Sequence, residues 1–446
     1  MIDTFLNSIY RLGLNKMQIK KLIEKVEGEA ELDFSFKNNR VSDVNIKFSF
    51  FRGIENILVG KPPRDALVIT PRVCGICNHA HLIASVRAIE DGYRKAGVEV
   101  NLTKKANDIR EFTLACELIQ NHIKWFYLII LPQLEKLLGQ ESEENHALKA
   151  SYLSHTITKA LAIFAGQWPH SSYAVPGGVT CDPTYVDVIQ AENLIDESIK
   201  FFEEVVVGVK LDELLAMDSV LDLQKIGGDL GKVISLLERT GMAEKGKSHG
   251  RFIVFGECLC FKIGKSIPTQ VSNIDTNYVK EEQQKGSMAK GVTYKNRLFE
   301  VGSLARGMIA KEPMVKALHK RYKDATLTRI FARVYEIGLL LSYNKQIIKT
   351  LDMGEVSCSL NKKSRPMDFE GVGVVEAARG SLIHKTTVKD GLITNYEIIV
   401  PTQWNLSNGN EQEQGIATKA MVGSSSIEEA SFIFRSFDVC SVCTTH

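Results

Sequence analysis

Apolar and polar positions alternate near the N-terminus of this 446-residue chain. Between residues 29 and 36 every second position is apolar, and after Asn38-Asn39 the alternation resumes from Val41 to Phe50. This pattern predicts a β-hairpin, because successive side chains of a strand point to opposite faces and an Asn pair suits the turn. A second β-rich region covers Gly371 to Val400, with Asp390-Gly391 as its turn.

Helical spacing dominates the middle of the chain. After Ala80, apolar residues recur three or four positions apart, as they do on one face of a helix. Long helical stretches are expected at 104–131, 144–166, 188–206, 212–240 and 315–350, with breaks at Pro132, in the Pro169 to Pro183 loop and at Gly227-Gly228. The sequence therefore predicts an α+β fold that is predominantly helical, with a core of long helices and peripheral β-hairpins and sheets.

The chain shows no clean linker, so residues 1–446 are expected to form a single large domain. We expect an N-terminal β region at about 20–60 and a helical core at about 80–350. A second β region, with a C-terminal metal motif, is expected at about 370–446.

Composition excludes several classes of protein. The formal net charge is +2, which gives no sign of a nucleic-acid partner. No run of about 18 apolar residues is present, so we expect no transmembrane segment. Met1 to Tyr10 lacks the pattern of a secretory signal, and we therefore expect a cytoplasmic protein with at most peripheral contact to a membrane. Nine cysteines in so long a chain do not indicate a disulfide framework.

Two Cys-x-x-Cys pairs lie far apart in the chain, Cys74 with Cys77 and Cys440 with Cys443. Four thiolates are a complete ligand set for one soft metal ion. The second pair is close to the C-terminus. Chain ends are usually frayed unless a strong interaction holds them, and we interpret that interaction as the binding of a metal ion. A structural zinc site with four cysteines is the alternative. Such sites, however, usually stabilise small domains and take their ligands from cysteine pairs that are close in sequence.

The flanks of both pairs resemble the two signatures of the large subunit of [NiFe]-hydrogenases. One runs from Arg72 to His81 and the other from Asp438 to His446. Four further blocks match the family in the expected order: Val26-Glu27-Gly28, Phe51-Arg52-Gly53-Ile54-Glu55, Glu376-Ala377-Ala378-Arg379-Gly380, and Val400 to Asn405, which matches the strand before the final helix. The resemblance extends from about residue 20 to the last residue.

The resemblance implies a nickel–iron centre. Cys74 and Cys440 would be terminal ligands of nickel, whereas Cys77 and Cys443 would bridge nickel to an iron that carries carbon monoxide and cyanide. His81 would form a hydrogen bond with the thiolate of Cys77.

Further residues would surround that centre. Arg379 and Thr402 would donate to the cyanides, and Pro401 would pack beside the diatomic ligands. Arg379 would also place a fixed charge over the open site, paired with Asp438. A purely structural ion pair is the alternative for Arg379.

The family also has a magnesium-like ion near the C-terminus, for which Mg²⁺ or iron are the candidates. By the match, its ligands would be Glu55, the backbone carbonyl of about Ile398, and His446. Glu27 would carry protons away from nickel, with a solvated strand residue as the alternative reading of that glutamate.

The implied reaction is the reversible heterolytic cleavage of dihydrogen to protons and electrons, in the uptake direction. Electrons would leave through iron–sulfur clusters, and because this chain has no spare set of cysteines for a cluster, a small subunit must carry them. Such heterodimers could assemble further. Pro169 to Tyr173 and the C-terminal ending resemble the cytosolic uptake-and-sensing branch of the family, so a slow hydrogen sensor that signals to a kinase is an alternative. A quinone-reductase subunit of a respiratory complex is disfavoured, because those subunits usually lose the cysteines.

Overall fold

The computed structural model describes residues 17–23, 29–140, 146–256, 275–359 and 365–446. Its strands are β1 Met17–Ile23, β2 Ala30–Lys37, β3 Arg40–Lys47, β4 Ala174–Val175, β5 Gly178–Val179, β6 Val279–Gln283, β7 Lys290–Tyr294, β8 Phe369–Ala377, β9 Gly380–Lys389 and β10 Leu392–Ile399. The expected proton carrier Glu27 lies outside the described residues.

Helices make up most of the described structure, which confirms the predicted fold class. They are α1 Ile54–Leu58, α2 Ala66–Ile69, α3 Asn78–Lys95, α4 Lys104–Trp125, α5 Leu131–Leu137, α6 His146–Ala165, α7 Tyr185–Phe201, α8 Leu211–Leu215, α9 Gly228–Arg239, α10 Ser303–Ala310, α11 Pro313–Tyr322, α12 Thr326–Thr350, α13 Pro401–Leu406, α14 Ile416–Met421, α15 Ile427–Arg435 and α16 Ser441–Thr444.

Both predicted hairpins are present. Strands β2 and β3 pair antiparallel around Asn38 and Asn39, whose φ angles of 52° and 59° are those of a hairpin turn with left-handed residues. Strand β1 pairs with the other edge of β2, so the N-terminal sheet has three strands. Strand β9 lies between β8 and β10, and Asp390-Gly391 turns the chain from β9 to β10.

The break expected at Gly227-Gly228 is present. The stretch 212–240 consists of α8, a short 3₁₀ turn and α9, and the two glycines pack against the backbone of the preceding segment, with a φ of 56° at Gly228. One predicted helix is wrong in its extent. The stretch 315–350 is two helices, since Lys323 between them has a φ of 61°. The segment expected to be strand before the final helix is itself the helix α13, with Pro401 at its first position.

Helix α3 lies across the sheet of β8, β9 and β10 and joins it to the helical core. Glycines on β8 allow the two backbones to come very close, because a Cβ added at Gly373 would lie only 1.9 Å from the carbonyl oxygen of Ala84. The Arg87 guanidinium donates to the carbonyl of Val374 at 2.8 Å. This contact fixes the helix that follows the first cysteine pair against the sheet that carries Arg379.

The C-terminus ends inside the protein. His446 is only 4% exposed, and the amide of Arg52 donates to the carbonyl of Thr445 at 2.9 Å. Among the helices that the structure describes, none combines the length and apolar character needed to cross a bilayer.

Candidate metal centre

The first cysteine pair lies on a loop between a 3₁₀ turn, Thr70–Val73, and the start of helix α3 at Asn78. The buried carboxylate of Glu117, on α4, accepts hydrogen bonds from the amides of His79 at 2.8 Å and Ala80 at 3.0 Å. These are amides of the first helical turn, which have no partner within the helix. Glu117 therefore caps α3 and fixes the loop of Cys74 and Cys77.

The second pair follows the end of helix α15. Trp125 donates from its indole nitrogen to the carbonyl of Arg435 at 2.9 Å, which fixes the last turn of that helix. Asp438 then adopts a φ of 57°, a left-handed conformation that is uncommon for a residue with a side chain. The short helix α16 begins directly after Cys440 and carries Cys443.

The four thiols converge in two pairs that join the two ends of the chain. The sulfur atoms of Cys74 and Cys440 are 3.7 Å apart, and those of Cys77 and Cys443 are 3.2 Å apart. The sulfur atoms of Cys440 and Cys443 are separated by 3.1 Å. All four thiols are free and buried. This geometry is a thiolate-rich cluster whose members are close enough to share metal ions.

The thiols strongly influence one another's ionisation. Hydrogen bonds from Cys440, Cys443 and Cys77 hold the pKa of Cys74 well below that of an ordinary thiol. The same kind of contacts, together with burial, raise the pKa of Cys77 well above the usual range. Because a thiolate is the metal-binding form, metal uptake at this cluster must displace protons.

A small cavity lies beside Cys77 and Cys443, and its lining matches the residues that the resemblance placed around an iron with diatomic ligands. It is lined by Cys77, His81, Arg379, Pro401, Thr402 and Cys443, together with Ala377 and Leu382. The hydroxyl of Thr402 is buried here without a hydrogen-bond partner in the described structure. A buried hydroxyl without a partner is costly, and an acceptor ligand in the cavity would satisfy it. The donor set therefore fits the nickel–iron group.

Arg379 and Asp438 meet at the edge of this cavity. Their side chains are 3.1 Å apart, and Arg379 also donates from Nε to the backbone oxygen of Asp438 at 3.1 Å. A third bond, at 3.4 Å, runs from Nη1 of Arg379 to the side-chain oxygen of Asn121. Burial opposes the charge of Arg379, but Asp438 and the thiolates of the cluster raise its pKa well above the ordinary value.

His81 lies against the thiols of Cys77 and Cys443 and is fully buried. One of its ring nitrogens is within 4.8 Å of the sulfurs of Cys77 and Cys443. Its Nδ1 is 3.1 Å from Nε2 of His384, and His384 in turn contacts the hydroxyl of Tyr396 at 2.9 Å. Burial lowers the pKa of His81 to about 3, so the ring is neutral at physiological pH.

The residues expected to hold a second ion are also brought together. Nε2 of His446 is 3.5 Å from the carboxylate of Glu55. Ile398 meets the same carboxylate through its backbone amide, which donates at 2.7 Å. Burial opposes the charge of Glu55, but His446 and Ile398 outweigh it and lower the pKa of this carboxyl. Glu55 is thus held as a carboxylate, the form that binds a hard cation.

Several residues at the site were not predicted from the sequence: Asn121, Glu117, Arg333 and His384. Arg333 reaches Asp438 from helix α12, at 3.0 Å between Nη1 and Oδ2. The available signal was its helical spacing from Arg329 and Glu336, which places three charged residues on one face of an otherwise apolar helix. Such a face usually indicates solvent exposure, whereas all three side chains are buried here.

Comparison with known proteins decides the family. The family model described as nickel-dependent hydrogenase matches residues 52–131 and 262–446, which include all four cysteines. The chain belongs to the nickel-dependent hydrogenase family. It is thus an oxidoreductase of the hydrogenase type, as the resemblance predicted, and a structural zinc site is not favoured.

Relatives of this hydrogenase chain are matched over nearly their whole length. It is 26% identical to the periplasmic [NiFeSe] hydrogenase large subunit of Desulfomicrobium baculatum, over 92% of this chain and 90% of that one. It is 25% identical to the uptake hydrogenase large subunit of Rhizobium leguminosarum bv. viciae, over 95% of this chain and 94% of that one. It is also 25% identical to the coenzyme F420 hydrogenase subunit alpha of Methanothermobacter thermautotrophicus, over 94% of this chain and 92% of that one.

The fold agrees with solved structures. The Ni-Fe-Se hydrogenase from D. vulgaris Hildenborough superposes with a TM-score of 0.81 at 21% sequence identity, over 97% of this chain and all of that chain. This similarity supports the arrangement of helices and sheets described above and the assignment to the large-subunit fold.

Proposed function

We propose that this chain is the catalytic subunit of a hydrogenase that oxidises dihydrogen in the uptake direction and passes the electrons to an iron–sulfur small subunit. The observation that carries the proposal is the convergence of four buried thiols from opposite ends of the chain beside a cavity lined by Arg379 and Thr402. When bound, a nickel–iron centre with carbon monoxide and cyanide ligands supplies the site at which dihydrogen is polarised and split.

The four cysteines would hold the metals in two roles. Cys74 and Cys440 would be terminal on nickel, and Cys77 and Cys443 would bridge to iron. In support, the sulfur of Cys74 lies 3.7 Å from that of Cys440 and the sulfur of Cys77 3.2 Å from that of Cys443. Cys440 and Cys443, whose sulfurs are 3.1 Å apart, join the two pairs in one cluster. Thr402 and Arg379 would donate hydrogen bonds to the cyanides, and Pro401 would pack against the diatomic ligands.

Histidine 81 would stabilise the bridging thiolate of Cys77 by donating a hydrogen bond. A neutral imidazole has one N–H, so a ring that donates from Nε2 must accept at Nδ1. His384 then donates from its Nε2 to His81, and Tyr396 donates to Nδ1 of His384. This buried chain fixes the tautomer and the orientation of His81.

Separate groups would supply the positive charge at the open site and transfer the proton. Arg379 would keep a fixed positive charge over the open site, where its fork is held by Asp438 and Asn121. Glu27 would receive the proton and pass it outwards. A Mg²⁺ or iron ion held by Glu55, His446 and the carbonyl of about Ile398 would tie the C-terminus to β10.

Electrons must leave through a partner. Within the described part of the chain, the groups of metal-capable side chains are the two triplets of this centre, Cys74 with Cys440 and Cys443, and Cys77 with His81 and Cys443. An iron–sulfur cluster needs a further set of about four cysteines, so the relay belongs to a small subunit.

The test is turnover of dihydrogen with an artificial electron acceptor, together with exchange between deuterium gas and water. We expect both activities in the wild-type protein, and loss of both in Cys443→Ser, since a hard hydroxyl is a poor substitute for a bridging thiolate. Glu27→Gln should keep its metals but lose exchange with solvent. Absence of both activities from nickel-loaded wild-type protein would contradict the proposal, and exchange without appreciable turnover would indicate the sensor instead.

A further inference from the structure

Asp438 is held by two arginines. Oδ1 is 3.1 Å from Arg379, and Oδ2 is 3.0 Å from Arg333. All three side chains are buried, with exposed fractions of 7% or less. Arg333 is therefore as close to this carboxylate as Arg379 is, although it does not line the cavity beside the bridging cysteines.

Arg333 is itself fixed by its surroundings. Its guanidinium lies over the ring of Trp125 at 4.6 Å, a cation–π contact in a buried setting. Trp125 is the residue that donates to the carbonyl of Arg435 at the end of helix α15. The same guanidinium therefore contacts Asp438 directly and also contacts the tryptophan that holds Arg435, so it is linked to both ends of the segment between Arg435 and Asp438.

A neighbouring contact reinforces this arrangement. One turn earlier on α12, the guanidinium of Arg329 lies 4.0 Å from the ring of Phe437, while its own charge is paired with Glu300 at 2.7 Å. Residues 437 and 438 are thus each held by an arginine from one face of α12.

Asp438 needs such support because its backbone is left-handed. A non-glycine residue at a φ of 57° pays a strain energy and persists only where the surrounding contacts determine it. In the described structure Oδ2 has no hydrogen bond, so the Arg333 ion pair is its counter-charge. Without Arg333, that oxygen would be buried without a partner, which strongly favours a different backbone conformation.

We propose that Arg333 is a positioning residue, whose ion pair with Asp438 fixes through that carboxylate both the Arg379 guanidinium and the turn that presents Cys440. It also adds a second positive charge beside the thiolate cluster, so that two guanidinium groups share one carboxylate. Only the catalytic consequence of this inference rests on the proposed function; the control of the turn is a property of the chain itself.

The first test measures the turn without any metal. The full chain, prepared without nickel, is treated with iodoacetamide, and the alkylation rate of each of the four cysteines is measured by mass spectrometry. We expect Arg333→Met to raise the rates at Cys440 and Cys443 about tenfold relative to Cys74 and Cys77, because local opening becomes easier on one side of the cluster only. Arg333→Lys keeps the charge and should give a smaller rise in the alkylation rates, again confined to Cys440 and Cys443.

Arg110→Lys is the matched control. Arg110 is an equally buried arginine on α4, paired with Glu90 of α3 at 2.8 Å. It should lower overall stability without changing the ratio of rates between the two cysteine pairs. An unchanged ratio in both Arg333 variants, or a parallel rise at all four cysteines, would overturn the proposal. If Arg333→Met does not fold, the ratio of alkylation rates in Arg333→Lys is the deciding measurement.

The second test uses the metal-loaded protein. We expect Arg333→Met to lower kcat about tenfold with the KM for dihydrogen and the nickel content unchanged, and Arg333→Lys to recover part of the loss. Normal kcat in Arg333→Met would overturn the catalytic part. A wild-type chain that never binds nickel would defeat the proposed function but leave the alkylation result standing, so the two failures are distinguishable.

Discussion

Arginine 379 uses three different nitrogen atoms in three different bonds. Nε donates to the Asp438 backbone, Nη2 pairs with the Asp438 carboxylate and Nη1 reaches Asn121. Only the planar fork of a guanidinium can satisfy all three directions at once. This geometry explains why the residue is fixed so firmly beside the cavity.

We therefore predict that Arg379→Lys retains nickel but loses at least about tenfold in turnover, which corresponds to roughly 1.4 kcal/mol in the barrier. The lysine keeps the charge but cannot hold it in place. Arg94→Lys, at a half-exposed position on α3, is the control and should turn over normally. Near-normal turnover of Arg379→Lys would mean that Arg379 is only a structural ion pair.

At the scale of single residues, sequence spacing singled out the four cysteines that the structure brings together, but it did not predict the residues that hold them in place. A Cys-x-x-Cys pair is visible because the chemistry needs adjacent thiols. Arg333 and Glu117 are charged residues on helices, and no local pattern distinguishes a buried charge with a distant partner from a solvated one. Their partners, Asp438 and the amide of His79, are 105 and 38 residues away in the chain.

Among the elements, the contact of α3 with β8 positions the centre. The first cysteine pair is attached to α3, and Arg379 follows β8 directly. Gly371 and Gly373 are two residues apart on one face of the strand, and an added Cβ at either would lie 1.9 Å from a carbonyl oxygen of α3. The strand can approach the helix only because these positions lack side chains.

Replacing Gly373 by alanine should therefore push β8 away from α3. We predict a loss of about 3 kcal/mol in the free energy of unfolding, as for overpacking of a rigid backbone contact. Gly354→Ala serves as a control, since its added Cβ would meet only an exposed carboxylate oxygen at 3.3 Å. Urea unfolding of both variants measures the difference, and equal midpoints would contradict the close packing described here.

Element prediction from the sequence succeeded where the local pattern and the tertiary structure agree. The hairpins at Asn38-Asn39 and Asp390-Gly391 have both the alternation and the turn residues. The break at Gly227-Gly228 was expected from the glycine pair, and the structure shows its cause in the backbone contact with Gly208. The break at Lys323 was missed, because no glycine or proline marks that position. A left-handed residue without such a marker cannot be predicted from apolar spacing.

Across the whole molecule, buried ionisable groups link the helical core to the sheets. His122 on α4 contacts Glu336 on α12 at 2.8 Å, and Glu336 in turn pairs with Arg306 at 2.6 Å. Arg306 pairs with Glu376, at the end of β8, at 3.2 Å. Burial lowers the pKa of His122 to about 4, although Glu336 acts in the opposite direction.

This lowered pKa predicts an acid-sensitive fold. Between about pH 6.5 and pH 4 the unfolded chain binds a proton at His122 and the folded chain does not, so stability falls as the pH falls through this window, by on the order of 3 kcal/mol. His122→Gln removes this contribution, whereas His155→Gln, at an exposed position, should leave it intact. Thermal unfolding at pH 7 and pH 5 would show the difference; identical pH dependence in all three proteins would contradict a neutral buried His122.

The identity of the bound metals tests the central claim most directly. The purified protein should contain about one nickel and one iron at the cysteine cluster, with infrared bands from carbon monoxide and cyanide. Elemental analysis and infrared spectroscopy of the same sample measure this, and Cys443→Ser should lose both the nickel and the bands. A protein that carries about one zinc, with no nickel and no such bands, would contradict the account.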